Sequence, residues 1–272
     1  MIIVAEFTIN HFGHPTLLHR MVAAAIGCGC DYIKLQRKDV ETFYSQDRLN
    51  SSYNSPFGTT YRDYRTALEL PLDEFKKISC PWFVTVQDTQ SLREMLEFDL
   101  PMYKIASCNS SNKDLLLEAS QTIPKDRTIV ISVAGQNLKT IQKTIDFFPN
   151  HSLIINHCVA IYPCPSEKLK LGNIPILIKE FGSNRIKIGY SGHEIGLEAT
   201  YAVMEMGIYY LERHFCMNRS SFIHHTSCSL EPNEFAKIKN GGEHNLPKSA
   251  FASSFKTSEL ESRFLVQQVY GQ

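Results

Sequence analysis

Short runs rich in β-branched and aromatic residues recur along the chain, and stretches with a helical period separate them. Ile2 to Phe7 is the first run, Pro15 to Ile26 the first helical stretch, and Tyr32 to Gln36 the second run. A long polar stretch, 37–72, follows, with a helix expected near 73–79. Further strands are expected at Trp82 to Val86, Met102 to Ala106, Thr128 to Val133, Leu153 to Cys158, Ile186 to Tyr190 and Ile208 to Phe215. Helices are expected between them, near 90–98, 112–121, 138–147, 173–181 and 195–206. Such alternation argues a parallel sheet, because parallel neighbours need a crossover long enough to hold a helix. Eight strand–helix units of about 25–30 residues predict an α/β fold, a closed (β/α)8 TIM barrel, over residues 1–240. A doubly wound open sheet is the competing arrangement, but no G-x-G-x-x-G follows the first strand. GGEHNLPK at 241–248 breaks the pattern, and 241–272 reads as a C-terminal extension with one helix, Ser258 to Val269.

Composition narrows the partners. The 272 residues are 43% hydrophobic and 21% charged, as a soluble globular chain should be. Twenty-eight basic residues balance 28 acidic ones, so neither nucleic acid nor an anionic membrane is an expected partner. No apolar run approaches the roughly 20 residues of a membrane span. The N-terminus reads as a first strand rather than a signal peptide, which makes the cytoplasm the expected location. The eight cysteines read as reduced thiols, and Cys28 and Cys30 as small residues where a helix meets a strand.

The candidate chemistry lies at the strand ends, where barrels of this kind carry their sites. The first strand offers Glu6, then Asn10 and His11; the second, Lys34 and Gln36; the third, Thr85. Lys104 and Ser107, then Ser132, then His157 and Tyr162 follow on the next three. The seventh offers Ser191 and His193, and the eighth Glu212 and His214. Burying any one such group without a partner costs a few kcal/mol, so eight polar ends on apolar strands argue a shared polar site. Residues i and i+2 of a strand share a face, which lets Lys34 with Gln36, Ser191 with His193, and Glu212 with His214 point inward together. A lone histidine here is ordinarily a packing residue. Two imidazoles from adjacent strands can share one divalent metal. Lys34, Lys104, Ser107, Ser132 and Ser191 suit a phosphate together with a carboxylate.

AEFTINHFGH at 5–14, YIKLQ at 32–36, YKIAS at 103–107, HCVAIYPCP at 157–165, IGYSGHEIG at 188–196 and LERHF at 211–215 occur in order, with SLEP at 229–232 after them. Together these motifs resemble the sialic acid synthase family, over most of the chain. The resemblance implies a transferase that condenses phosphoenolpyruvate with the aldehyde of an open-chain aldose or amino sugar, giving a nonulosonic acid and phosphate. It implies a divalent metal, manganese before magnesium or cobalt, on His193 and His214. It implies phosphoenolpyruvate held by Lys34, Lys104, Ser107, Ser132 and Ser191, with Glu6, Tyr162 and Glu212 joining the two lysines in catalysis. Gln36, Asn10 and His225 would contact the sugar. Dimerisation through the barrel is compatible with this reading. Another barrel aldolase, with Lys104 as a Schiff base, and a degenerate non-catalytic barrel are the alternatives.

The chain departs from the family pattern on the sugar side. Gly192 stands where an acid usually precedes the metal-binding histidine, Ala160 where an asparagine is usual, and His225 where an aspartate contacts the sugar. The turns after the third and fifth strands read Thr85-Val86-Gln87-Asp88 and Ser132-Val133-Ala134-Gly135. The expectation is an altered acceptor, ahead of the usual acceptor handled differently or a weakened activity. Typical members continue into an antifreeze-like domain that brings an arginine to the partner's sugar. This chain stops at Gln272, about where that domain's linker would begin, so the expectation is a truncated chain or a barrel-only protein with a more open acceptor site.

Overall fold

The computed structural model describes residues 1–221 and 224–270. Eight parallel strands close a barrel: β1 (Ile2–Glu6), β2 (Tyr32–Arg37), β3 (Trp82–Val86), β4 (Met102–Ile105), β5 (Thr128–Ser132), β6 (Ser152–His157), β7 (Ile186–Gly192) and β8 (Tyr210–His214). Sequence neighbours pair around the ring, and β1 closes it against β8, with Glu6 opposite His214. Helices such as Pro15–Gly27, Leu138–Asp146 and Asn173–Phe181 return the chain along the outside, each burying one face. Leu138–Asp146, for instance, is capped by Asn137, which accepts the Thr140 amide, and buries Ile141, Thr144 and Ile145. The sequence expectation of a (β/α)8 barrel therefore holds, with small shifts of boundary. β8 begins at Tyr210, a little after the turn at 206–207, and the Tyr209 ring before it is exposed. The helix expected at 73–79 is a single turn, Leu72–Phe75.

Segment 37–72 differs most from its sequence reading as a polar stretch. It folds into three short helices, Val40–Phe43, Gln46–Leu49 and Tyr61–Ala67, and a hairpin, Ser52–Ser55 with Gly58–Thr60. Its start signals are ordinary: Asp39 and Ser45 cap the first two helices, and Thr60 with Asp63 forms a capping box on the third. Its side chains build a satellite core of Val40, Tyr44, Leu49, Tyr61, Tyr64 and Leu68 with Ile9 of the first loop. A core made so largely of tyrosine looks polar in a hydropathy reading, although its rings are buried.

The inside of the barrel is layered by the period of two. Val4, Phe83, Met102, Val130, Ile154 and Tyr210 form an apolar plug. Two residues further along the same strands stand Glu6, Thr85, Lys104, Ser132, Asn156 and Glu212, all buried. β7 runs through this plug as glycine at 189, because a Cβ there would meet the Asn156 amide at 2.2 Å and the Tyr210 side chain at 2.9 Å. The C-terminal extension is not a separate body. Ala250 lies in the main core, Leu171 donates to its carbonyl at 2.8 Å, and the amide of Asn173 brackets Ser254 at 2.8 and 3.0 Å. A final helix, Glu259–Tyr270, then crosses to the mouth of the barrel.

Candidate active site

The polar layer opens into a cavity of about 250 Å3 at the C-terminal ends of the strands. Glu212 is the hub of its floor. Its Oε1 accepts from Lys104 Nζ at 2.5 Å and Ser191 Oγ at 3.0 Å, with Lys34 Nζ at 3.7 Å, and its Oε2 accepts from the Tyr210 hydroxyl at 2.5 Å. Burial alone would raise its pKa, but the Lys104 and Lys34 charges hold it well below the ordinary carboxylate range. Lys34 also pairs with Glu6 and donates to Thr85 Oγ1 at 2.7 Å. Burial pulls the Lys104 ammonium below its usual value; Lys34 adds to this and Glu212 opposes it. Two ammoniums and two carboxylates thus leave the inner cluster near neutrality, which is how buried charges of this kind are held. Glu212 is thereby the shared anchor of both lysines.

The two histidines stand one step further along the strands. His193 Nδ1 lies 2.8 Å from the Val159 carbonyl, which can only accept, so Nδ1 carries the proton and Nε2 keeps a lone pair. Thr8 Oγ1 donates to Glu6 Oε1 at 2.7 Å, so at 3.0 Å it accepts from His214 Nδ1–H, leaving that Nε2 unprotonated too. Burial holds both imidazoles neutral, His193 at about 4 and His214 well below its ordinary value. The rings lie 5.4 Å apart and both line the cavity. Their neutral, oriented state suits two nitrogen ligands of one divalent ion. Among the described residues no group of three or more His, Cys, Asp or Glu is arranged to hold an ion.

The remaining expected residues divide. Ser107, Ser132, Gln36, Tyr162 and His225 line the cavity with the set above. Ser132 Oγ is buried without a hydrogen-bond partner, as a group awaiting a ligand would be. The Tyr162 ring packs 4.1 Å from His193 and 5.4 Å from His225, and His225 stacks on His214 at 5.6 Å. Ile223, two positions before His225 in the sequence, lies outside the described residues. Asn10 does not reach the cavity: its amide donates to the Phe215 carbonyl at 2.8 Å and Ser229 Oγ at 3.1 Å, tying the first loop to the chain after β8. His11 and His157 are likewise buried away from it, His157 against the Leu169 carbonyl at 2.8 Å.

Two departures from the family pattern have a physical reason here. A Cβ at Gly192 would lie 2.8 Å from both carboxylate oxygens of Glu194 and 2.7 Å from the Tyr190 ring. Glu194 is buried and binds Arg213 and the Tyr190 hydroxyl, each at 2.7 Å, so an acid does adjoin His193, on its other side. Ala160 and Ala134 pack with Leu265 of the last helix, and a Cβ at Gly135 would meet that Leu265 at 2.6 Å. These small residues form the seat on which the C-terminal helix brings Phe264 and Gln267 to the cavity. Glu261 of the same helix is buried against Lys170 at 3.0 Å.

Several lining residues were not anticipated from the sequence: Thr8, Gln87, Lys38, Tyr44, Tyr61, Arg65, Phe264 and Gln267. The signals existed. Lys38 continues the two-residue period of Lys34 and Gln36, and Tyr61, Tyr64, Arg65 and Leu68 are spaced as one helix face.

Comparison with known proteins agrees with the motifs. A model of the NeuB family matches residues 21–245. An N-acetylneuraminate-9-phosphate synthase of Drosophila melanogaster is 28% identical over 248 residues, 87% of this chain and 65% of that protein. The Homo sapiens protein of the same name is 29% identical over 247 residues, 87% of this chain and 67% of its own. The chain thus spans about two thirds of these relatives. A crystal structure of an N-acetylneuraminic acid synthetase from Leptospira borgpetersenii serovar Hardjo-bovis, in complex with citrate, superimposes with a TM-score of 0.74 over 100% of this chain and 86% of that one. At 23% identity that likeness speaks for the fold.

Proposed function

The chain belongs to the NeuB family, and from that premise we propose that it condenses phosphoenolpyruvate with an open-chain aldose or amino sugar to give a nonulosonic acid and phosphate. The observation that carries this reading is one cavity with a neutral histidine pair one strand step beyond a lysine–carboxylate cluster. His193 and His214 would hold a divalent metal, manganese in the first instance, which when bound supplies Lewis-acid polarisation of the sugar aldehyde.

The protein's own groups account for the rest. Lys34 and Lys104, held by Glu6 and Glu212, meet the phosphate and carboxylate of phosphoenolpyruvate with the hydroxyls of Ser107, Ser132 and Ser191. Ser132 Oγ, lacking a partner, gains one. The enol carbon then forms a bond to the aldehyde carbon, and the aldehyde oxygen becomes a hydroxyl. Water adds at the phosphate-bearing carbon, and the C–O bond to phosphate breaks with its electron pair leaving on phosphate, where the ammoniums stabilise it. Tyr162 and His225 pack beside the histidine pair and Gln36 donates to Glu6 at 3.1 Å, positions that suit the sugar.

The test is phosphate release from phosphoenolpyruvate with manganese across a panel of aldoses and amino sugars, in wild type and His214→Ala. Release that requires one sugar and His214 supports the function and identifies the acceptor. Absence of release with every sugar, from protein that binds both manganese and phosphoenolpyruvate, contradicts it.

A further inference from the structure

Arg213 stands between Glu212 and His214, so its side chain leaves β8 on the face away from the barrel interior. It is fully buried, and in register it lies opposite Gly192, the residue before His193. Its guanidinium donates to the Glu194 carbonyl at 2.7 Å, to the Gly196 carbonyl at 2.9 Å and to Thr200 Oγ1 at 2.5 Å. One side chain of the strand that carries His214 thus fastens the turn that follows His193. The His193 carbonyl accepts from the Cys164 amide at 2.9 Å and its ring is held by the Val159 carbonyl, and together these contacts fix where that ring stands. The charge of Arg213 is met by Glu194 at 2.7 Å, a buried carboxylate that also accepts from the Tyr190 hydroxyl. Neither Arg213 nor Glu194 lines the cavity. A Cβ on residue 192 would lie 2.8 Å from both carboxylate oxygens of Glu194. The carboxylate of an aspartate begins one bond beyond its Cβ, so an acid at 192 and the acid at 194 compete for one place beside Arg213.

We propose that Arg213 and Glu194 are a positioning pair for the two histidines. Arg213 sets the turn of His193 against the strand of His214, and Glu194 keeps that guanidinium in place with a carboxylate that residue 192 could supply instead. The pair deepens the reading of His193 and His214 as joint ligands of a divalent ion, on which it rests. A buried guanidinium without its carboxylate is an uncompensated charge; it would turn toward other acceptors, and the carbonyls of 194 and 196 would follow it. Outer contacts that orient a ligating histidine are worth about 10–100-fold in metal affinity.

The experiment titrates metal-free protein with manganese in a calorimeter, for wild type, Glu194→Ala, Glu194→Gln, Gly192→Asp and the double variant Gly192→Asp with Glu194→Ala. Phosphoenolpyruvate titrations and nitrogen–proton spectra of the imidazoles, assigned with His193→Gln and His214→Gln, run beside it. Each single variant should bind manganese about tenfold or more weakly than wild type. Phosphoenolpyruvate affinity should change less, a separation that a general loss of packing would not produce. The double variant should bind manganese more tightly than either Glu194→Ala or Gly192→Asp, the Tyr190 ring yielding to the new Cβ once Glu194 has released it. Independent effects would instead make the double variant the weakest of the three. Glu194→Gln, which keeps the shape of the side chain, decides the point if Glu194→Ala fails to fold. Unchanged manganese affinity in a folded Glu194 variant overturns the proposal, since the pair then serves stability alone. A double variant no better than its worse parent overturns it too. If wild type binds no manganese, the metal reading fails and the imidazole spectra decide. His193 and His214 signals that shift in the Glu194 variants and return in the double variant uphold the positioning pair, and signals that do not shift overturn it.

Discussion

The floor of the cavity and its β2-side wall solve opposite problems with the same residue types. On the floor, Lys34 and Lys104 are locked to Glu6 and Glu212, so the cluster is complete before any ligand arrives. On the wall, Lys38 and Arg65 have aromatic neighbours and no carboxylate within 4.0 Å among the described residues. The floor is thus preorganised, with its charges oriented at small cost when an anion displaces part of the pairing. The wall carries its cations on aromatic rings, with Glu69 as their more distant counter-charge. A barrel can keep the first on rigid strands while the second is placed on an inserted segment with its own small core.

The floor should break most severely. Glu212→Gln leaves Lys104 without its carboxylate and Lys34 with Glu6 alone. Removing one partner of a buried pair costs about 3–5 kcal/mol, so phosphate release should fall by two orders of magnitude or more and the thermal midpoint should drop in a melting experiment. Unchanged kinetics would mean that the lysines do not need their anchor.

Gly192→Asp, which restores the family's usual acid, should damage rather than repair. Its Cβ would enter the space of Glu194 and Tyr190 and bring a second carboxylate to Arg213. Overpacking of this kind costs about 1–3 kcal/mol, read as an earlier urea midpoint.

The wall should show itself through pH. Lys38, facing Arg65, Glu69, Tyr44, Tyr61 and Cys108, loses its proton near pH 7 in the free protein. Its ordinary value is 10.5, so between pH 7 and about 10 the unfolded chain holds this proton more tightly than the folded one. The thermal midpoint of wild type should therefore rise relative to that of Lys38→Met as pH increases from 7 to about 9.

The smallest effect belongs to the C-terminal helix. Leu265→Ala removes part of its seat on Ala134, Gly135 and Ala160. A half-buried leucine is worth about 1 kcal/mol, so the acceptor KM should rise by no more than about fivefold, and phosphoenolpyruvate binding measured by calorimetry should change less than the acceptor KM.

The same contrast separates what the sequence could show from what it could not. The floor was legible because strand-end residues declare themselves: Lys34, Lys104, Ser132 and Glu212 are polar groups in apolar runs of known period, and closure of the barrel brings them together. The histidine pair was legible for the same reason. The wall was not, because helix Tyr61–Ala67 buries tyrosines and an arginine that hydropathy reads as surface, and long-range packing alone carries Arg65 to the cavity. Asn10 misled in the opposite direction. It lies in a motif, AEFTINHFGH, of which Glu6, Thr8 and Ile9 line the cavity, but its NH2 group donates to Phe215 and Ser229 instead. Gly192 and Ala160 looked like losses until Glu194 and Leu265 were seen beside them.

The most direct measurement is calorimetric titration of phosphoenolpyruvate into wild type, Lys104→Met and Lys38→Met. The account predicts that Lys104→Met weakens binding by at least about tenfold, the value of one charged contact, and that Lys38→Met weakens it far less. The reverse order, or equal losses, would mean that phosphoenolpyruvate is not seated on the floor.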